Sequence, residues 1–436
     1  MKICFLGMSG VRSENKELLE MGLTLPGFIE RSKQIASLPH LGLLTLAGMT
    51  PEEEFEISYE EREKFNENDP LFEEEFDLVA ISALSAQIFE GYKVAEKFKK
   101  LHIKTIMGGL HITSTKEEAL KYCSSVVIGE GELAWPFVLE DLTNNCLKTV
   151  YDFSNQSFDF KNSPMPMYKL LDPDKYNRIT VQTQRGCTHH CEFCASSILL
   201  SSHFKEKPVD KVISEIVEIK KLWKNPFIEF ADDNSFVNHH YSKKLLKEII
   251  KLDIKWFSET DLSIAEDDEL LELMHQSGCR QLLIGLESPT KEGLYDLEMN
   301  SNWKYQQFEN YKKSIQKIQS YGITVNGCFV VGMDSQTKDV FDEIYNFVDE
   351  SKLYEVQVTL LTPFPNTPLY DRLLKEDRII KPNAWELCTL FDINFIPKNM
   401  SVEELQNGFL KLVQKLYSKE FTQLRRKNFL DIIKNK

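Results

Sequence analysis

Short apolar runs alternate with amphipathic stretches over the first 145 residues. Lys2–Leu6 is an apolar run ending at Gly7, and Phe55–Tyr59 and Asp77–Ser82 read as strands. Leu41–Gly48 reads as a buried helical segment. From Phe89 to Lys100 the residues Phe89, Tyr92, Val94, Ala95 and Phe98 supply one apolar helical face. Ile103–Met107 is a strand closed by Gly108-Gly109, Ser125–Ile128 is a strand closed by Gly129, and Leu133–Leu142 is a helix. This alternation predicts a doubly wound, Rossmann-like α/β domain with a parallel sheet over 1–145.

Residues 146–178 change character. They are rich in Asn, Ser, Asp and Pro and read as a linker that packs across the domains. A second alternation follows, with strands expected at Ile179–Gln184, Phe227–Phe230, Lys255–Ser258, Gln281–Leu286, Thr324–Val331 and Glu355–Leu361. Helical patterns lie between them, at Val209–Trp223, Tyr241–Leu252, Asp267–Ser277, Trp303–Tyr321 and Lys338–Ser351. Six strands with intervening helices predict a partial (β/α) barrel over 179–375 rather than an eight-fold one. The remainder, 376–436, is mostly helical and ends in the basic tail LRRKNFLDIIKNK.

Charge narrows the function. The net charge is −15, which argues against an extended nucleic-acid groove. Thirteen acidic and two basic residues crowd positions 51–77, leaving the rest nearly neutral. That segment reads as a solvated surface, with a charged recognition patch as the alternative. No apolar run approaches the roughly 18 residues of a membrane span. The start reads as a strand and loop rather than a signal peptide. Nine cysteines without a secretion signal point to a reducing cytosol.

Three cysteines decide the reading. Cys187, Cys191 and Cys194 stand in a C-x3-C-x2-C loop after the first barrel strand, at the end where such barrels place their chemistry. Three thiolates on a short loop can hold three corners of a four-iron, four-sulfur cluster, leaving one iron open. Zinc, with His189 or His190 as fourth ligand, and chance clustering are the rival readings. Gly186 allows a tight turn before the loop, and Phe193 can pack beside a purine.

This signature resembles that of the radical S-adenosylmethionine (SAM) superfamily. The resemblance implies that SAM chelates the open iron and is cleaved, by one electron, to methionine and a 5′-deoxyadenosyl radical. It also implies an electron donor such as flavodoxin or ferredoxin. Asp232 and Asp233, after one strand, then resemble the position that meets the SAM amino group. Ser258 and Glu259 follow the next strand, where the ribose or carboxylate could bind, and Glu287 lies beyond another. Each has an alternative as a helix cap or surface charge.

The first domain lacks a G-x-G-x-x-G after its first strand, since the loop reads Gly7-Met-Ser-Gly10-Val-Arg, so a nicotinamide or flavin is poorly supported. It resembles instead the cobalamin-binding domain fused ahead of many radical SAM enzymes. Ser82, Leu84, Gly108, Gly109, Gly129 and Glu130 carry that resemblance, as does Leu361–Tyr370 (LTPFPNTPLY) near the barrel's end. The D-x-H-x-x-G motif that gives cobalt an axial histidine in mutases is missing, and His40 and His111 do not stand in it.

The expected activity is therefore a cobalamin-dependent methyl transfer to an unactivated carbon or phosphorus of a small molecule or natural-product intermediate. The alternative is radical chemistry without cobalamin: ring formation, rearrangement or aminocarboxypropyl transfer. Methylthiotransferases of tRNA resemble the chain less, because Cys4, Cys123 and Cys146 are scattered. Peptide-modifying enzymes with auxiliary clusters are disfavoured too, since only Cys388 lies past the barrel.

Overall fold

The computed structural model describes residues 1–10, 13–20, 38–196, 204–295, 297–299 and 301–434. Val11-Arg12 of the first loop and the last two tail residues lie outside them. Six strands, β1 (Lys2–Met8), β2 (Glu56–Arg62), β3 (Leu78–Ala83), β4 (Lys104–Gly108), β5 (Ser125–Ile128) and β6 (Val150–Asp152), form one parallel sheet in the order β2-β1-β3-β4-β5-β6. Its core follows the two-residue period of a strand. Ile3 and Phe5 enter one buried cluster with Leu78 and Ala80, whereas Cys4, Leu6 and Met8 enter the other with Val79 and Ile81. Both faces are covered, as a parallel sheet requires. The sixth strand lies inside the segment read as a linker. Its three residues pair with β5 and bury Tyr151, but so short a run within a polar stretch gave no strand pattern. The acidic segment forms the outer strand β2 and the turn after it. Charges on that open edge discourage pairing with another chain.

Eight further strands follow: β7 (Ile179–Val181), β8 (Gln184–Arg185), β9 (Lys205–Glu206), β10 (Phe227–Phe230), β11 (Lys255–Thr260), β12 (Cys279–Glu287), β13 (Thr324–Val331) and β14 (Glu355–Leu360). Six form the second parallel sheet, in the order β14-β13-β12-β11-β10-β7, while β8 and β9 pair antiparallel. One barrel face is apolar: Ile228, Phe230, Trp256, Ile284, Phe329 and Val358 are buried in one cluster with the helices. The alternate positions Glu229, Glu259, Asn326 and Gln357 give the inner face a polar lining.

Two expected elements are broken. The strand Ile179–Gln184 divides into β7 and β8 because Asp232 captures the amides of Thr183 (2.7 Å) and Gln184 (3.0 Å), lifting the chain out of the sheet. The helix Trp303–Tyr321 divides into Trp303–Gln307 and Tyr311–Ser320 with a tighter turn between. Lys304 in the first piece turns inward to Glu287. The second piece buries Tyr311, Ile315 and Ile318 instead.

Past the barrel, helix Val402–Leu416 starts in a capping box in which Ser401 and Glu404 exchange bonds. Helix Lys419–Lys434 places Arg426 2.6 Å from Glu355 at the start of β14. No helix among the described residues is long and apolar enough to cross a membrane.

Candidate active site between the two sheets

The carboxyl ends of both parallel sheets meet around a cavity of about 330 Å³. Open α/β sheets bind ligands at this edge. Ser82, Gly108, Gly109 and Gly129 line it from the first sheet, and Gln182, Arg185 and Asp233 from the barrel. Gly109 has φ +106°, in the region that favours glycine, and a Cβ there would stand 3.5 Å from the Ser82 hydroxyl. The missing side chains leave the sheet edge open to a flat ligand.

Leu84 does not belong to this wall. It is 53% exposed beyond the end of β3, and the cavity is lined by the strand residues before it. Glu130 lines the cavity, but its charge is committed to the barrel. It stands 2.7 Å from Arg185 and from Lys205, and also accepts from the Phe158 amide at 2.7 Å. Glu132 completes the clamp, 2.7 Å from the other Arg185 nitrogen, and the guanidinium lies 4.7 Å over the Phe160 ring. Arg185 was not singled out by the sequence, because a lone Arg before a cysteine loop carries no recognisable signal.

The cysteine loop begins one residue beyond Arg185–Gly186. Gly186 adopts φ +88°, the tight turn expected of it. The Cys187 sulfur accepts from the His189 amide at 3.4 Å, and the Cys194 amide donates to the Cys191 carbonyl at 3.0 Å. Cys191 is buried and pairs by backbone with Glu298, while Cys187 and Cys194 are half-buried. Phe193 packs partly against the barrel core. His189 is clamped between Asp261 (3.0 Å) and Glu298 (2.6 Å). Burial works against its charge, but these two carboxylates raise it to about 9. Both ring nitrogens therefore face carboxylates rather than the cysteine sulfurs. Among the described residues no three His, Cys, Asp or Glu side chains converge on a single metal ion.

The acidic residues after the strands divide into three kinds. Asp232 is spent inside the protein: besides the two amides it accepts from the hydroxyls of Thr183 (2.5 Å) and Ser235 (2.8 Å). Four donors fill a carboxylate's lone pairs, so no amino group can be added. Ser258 is fully buried and its hydroxyl bonds that of Ser235 at 2.6 Å, which removes it from the inner face. Glu287 sits at a bulge with φ +63°, and its carboxylate folds back over Gly285 to meet Lys304 at 2.5 Å. Glu259 differs from all of these. It has no side-chain partner among the described residues, and it is open to solvent although it stands within the barrel. Protein around it, then the charges of Glu229 and Asp233, lift its carboxyl to about 7.

Three family models match the chain. The B12 binding domain matches residues 36–138, the Radical SAM superfamily residues 181–348, and a domain of unknown function (DUF4070) residues 367–436. The chain is a radical SAM enzyme with an amino-terminal B12-binding domain. The enzyme is 27% identical over 356 residues to bacteriochlorophyllide d C-12(1)-methyltransferase of Chlorobaculum tepidum, covering 78% of this chain and 75% of that one. It is 26% identical to the uncharacterized methyltransferase PH0819 of Pyrococcus horikoshii, over 92% of each. Its fold matches the radical SAM methyltransferase TsrM of Kitasatospora setae, solved with cobalamin and a [4Fe-4S] cluster bound. That match has a TM-score of 0.66 at 14% identity and covers 86% of this chain and 75% of that one. Among the described residues no histidine lines the cavity. His40 is packed against Gly7, where burial lowers it to about 4, and His111 is buried behind the sheet edge against Ser85 and Trp385.

Proposed function

We propose that the enzyme is a cobalamin-dependent methyltransferase acting on an unactivated carbon or phosphorus of a small molecule. The observation that carries this reading is the shared seam. Arg185, which lines the glycine-edged cavity, stands two residues before the first cluster cysteine. Arg185 and Ser196, on either side of the cysteines, thus border the cavity beside the glycine edge of the first sheet. Methyl transfer named for the similar chlorophyllide and PH0819 proteins supports the same reading.

The residues present suit both groups. Cys187, Cys191 and Cys194 are free thiols on one loop, the donor set of a cluster with an open iron. Ser82, Gly108, Gly109 and Gly129 offer a corrin an edge without side chains. When bound, the cluster supplies an electron for SAM cleavage and the corrinoid a transferable methyl group. The chain's own part is to position and to exclude water. Phe193 stands to pack on the adenine. Glu259, exposed and without a side-chain partner among the described residues, and the second oxygen of Glu287 stand to accept from SAM or substrate donors. Substrate enters a polar barrel lining rather than a greasy one. We place the enzyme in the cytoplasm, reduced by a flavodoxin or ferredoxin.

The test is anaerobic reconstitution with iron and sulfide, followed by titration with hydroxocobalamin and incubation with a candidate metabolite extract. The reading expects a corrinoid visible spectrum, 5′-deoxyadenosine, and a product heavier by one methylene unit. SAM cleavage without any corrinoid binding would transfer the assignment to ring formation, rearrangement or aminocarboxypropyl transfer.

A further inference from the structure

Two consecutive aspartates follow β10, and between them they grasp the cysteine loop at both ends. Asp232 takes the near end through the Thr183 and Gln184 amides and the Thr183 hydroxyl. Asp233 accepts from the Gly186 amide at 2.8 Å and from the Ser196 hydroxyl. Gly186 immediately precedes Cys187, and Ser196 stands two residues after Cys194. One carboxylate thus closes the whole C-x3-C-x2-C segment into a ring, with an oxygen on each end. β10 is itself paired on both sides, to β7 and to β11, so the strap hangs from an interior strand of the sheet.

We propose that Asp233 is a positioning residue that holds the ends of the cysteine loop together, rather than a ligand of SAM. The inference rests on the cluster reading above. A short loop carrying three thiolates has many conformations to lose before it can hold a cubane. A strap that closes its ends removes that cost in advance, so cluster retention should depend on Asp233 before SAM is present. Ser196 should matter through the same bond. Asp233 also lines the cavity between the sheets, so the strap that shapes the cluster loop forms part of the wall against the first domain.

The experiment compares wild type, Asp233→Asn, Ser196→Ala and the double variant after reconstitution, without SAM. Iron per chain and the rate of iron loss to a ferrous chelator are measured. SAM affinity and the thermal midpoint of iron-free protein are the controls. Losing a charge-assisted bond should speed iron loss about ten-fold or more in Asp233→Asn. Ser196→Ala should move in the same direction. The double variant should be no faster than the faster single, because both break one strap. Iron-free midpoints should stay together, which a general folding defect would not allow.

Wild-type iron retention in Asp233→Asn with weakened SAM binding overturns the strap and makes Asp233 a SAM ligand. Should Asp233→Asn fail to fold, wild-type iron loss in Ser196→Ala alone overturns it. Wild-type protein that takes up no iron overturns the cluster reading and the strap with it. Iron-replete wild type with unaffected variants overturns only the strap.

Discussion

Arg185→Met should loosen the seam between the first domain and the barrel. The guanidinium is 17% exposed and stands 2.7 Å from each of two carboxylates, Glu130 and Glu132, which are 6% and 7% exposed. Methionine keeps much of the stem that covers Phe160 but leaves both acids without this partner. Removing one member of a buried pair costs about 3–5 kcal/mol. Lys205 still holds Glu130 at 2.7 Å, so the lower end of that range, about 3 kcal/mol, is expected. Urea unfolding of metal-free protein measures it directly.

The pH dependence gives a second handle. Burial opposes ionisation of Glu130, but Lys205, the Phe158 amide and Arg185 together hold its carboxyl below the ordinary 4.5. A depressed acid stabilises above its unfolded pKa and loses that contribution as pH falls through the folded one. The gap between wild type and Arg185→Met should therefore be widest above pH 4.5 and close below it. Adding Glu132→Gln to Arg185→Met should recover part of the loss, since one stranded charge is then gone. A loss under about 1 kcal/mol, the worth of an exposed pair, with no pH dependence would refute the buried-clamp argument.

Replacing any one of Cys187, Cys191 or Cys194 by Ala should abolish 5′-deoxyadenosine formation, read by chromatography of the quenched reaction. Survival of that product in the triple variant would remove the cluster assignment. Gly108→Trp should block corrinoid binding while iron content stays normal. A Cβ there meets only Val127 at an ordinary 3.5 Å, whereas Gly109 would add backbone strain at φ +106°. Unchanged hydroxocobalamin titration would move the corrinoid off this edge. Glu259→Gln should flatten the pH dependence of unfolding. A carboxyl raised from 4.5 toward about 7 is stabilising at low pH and loses that contribution as pH rises through this window, and because the side chain is exposed the effect is small. Parallel wild-type and variant profiles between those values would contradict the raised pKa.

Much of the fold was legible because parallel sheets bury both faces and so write apolar runs into the chain. The runs at β1, β3 and β5, and at β10 to β14, stand close to where the pattern put them. The cysteine spacing carried the cluster, since ligands on one loop are local in sequence. What failed was non-local or electrostatic. The strand β6 is only three residues long, too short for a periodic signature, and its pairing with β5 defines it. Spacing placed Asp232, Asp233, Ser258, Glu259 and Glu287 together as residues beyond strand ends. It could not tell an open carboxylate from one already filled by protein donors. Leu84, two residues past Ser82, stands exposed outside the cavity wall, because the chain leaves the sheet before reaching it. Arg185, Lys304 and Ser196 had no signal at all. Their roles depend on partners 55, 17 and 37 residues away, brought into reach only when two sheets close on one cavity. The sequence by itself determined which cofactor chemistry the chain can support, because those ligands are neighbours along the backbone. Which acids remain free to touch a ligand was decided by tertiary structure, because a carboxylate's availability depends on every donor the fold has placed around it.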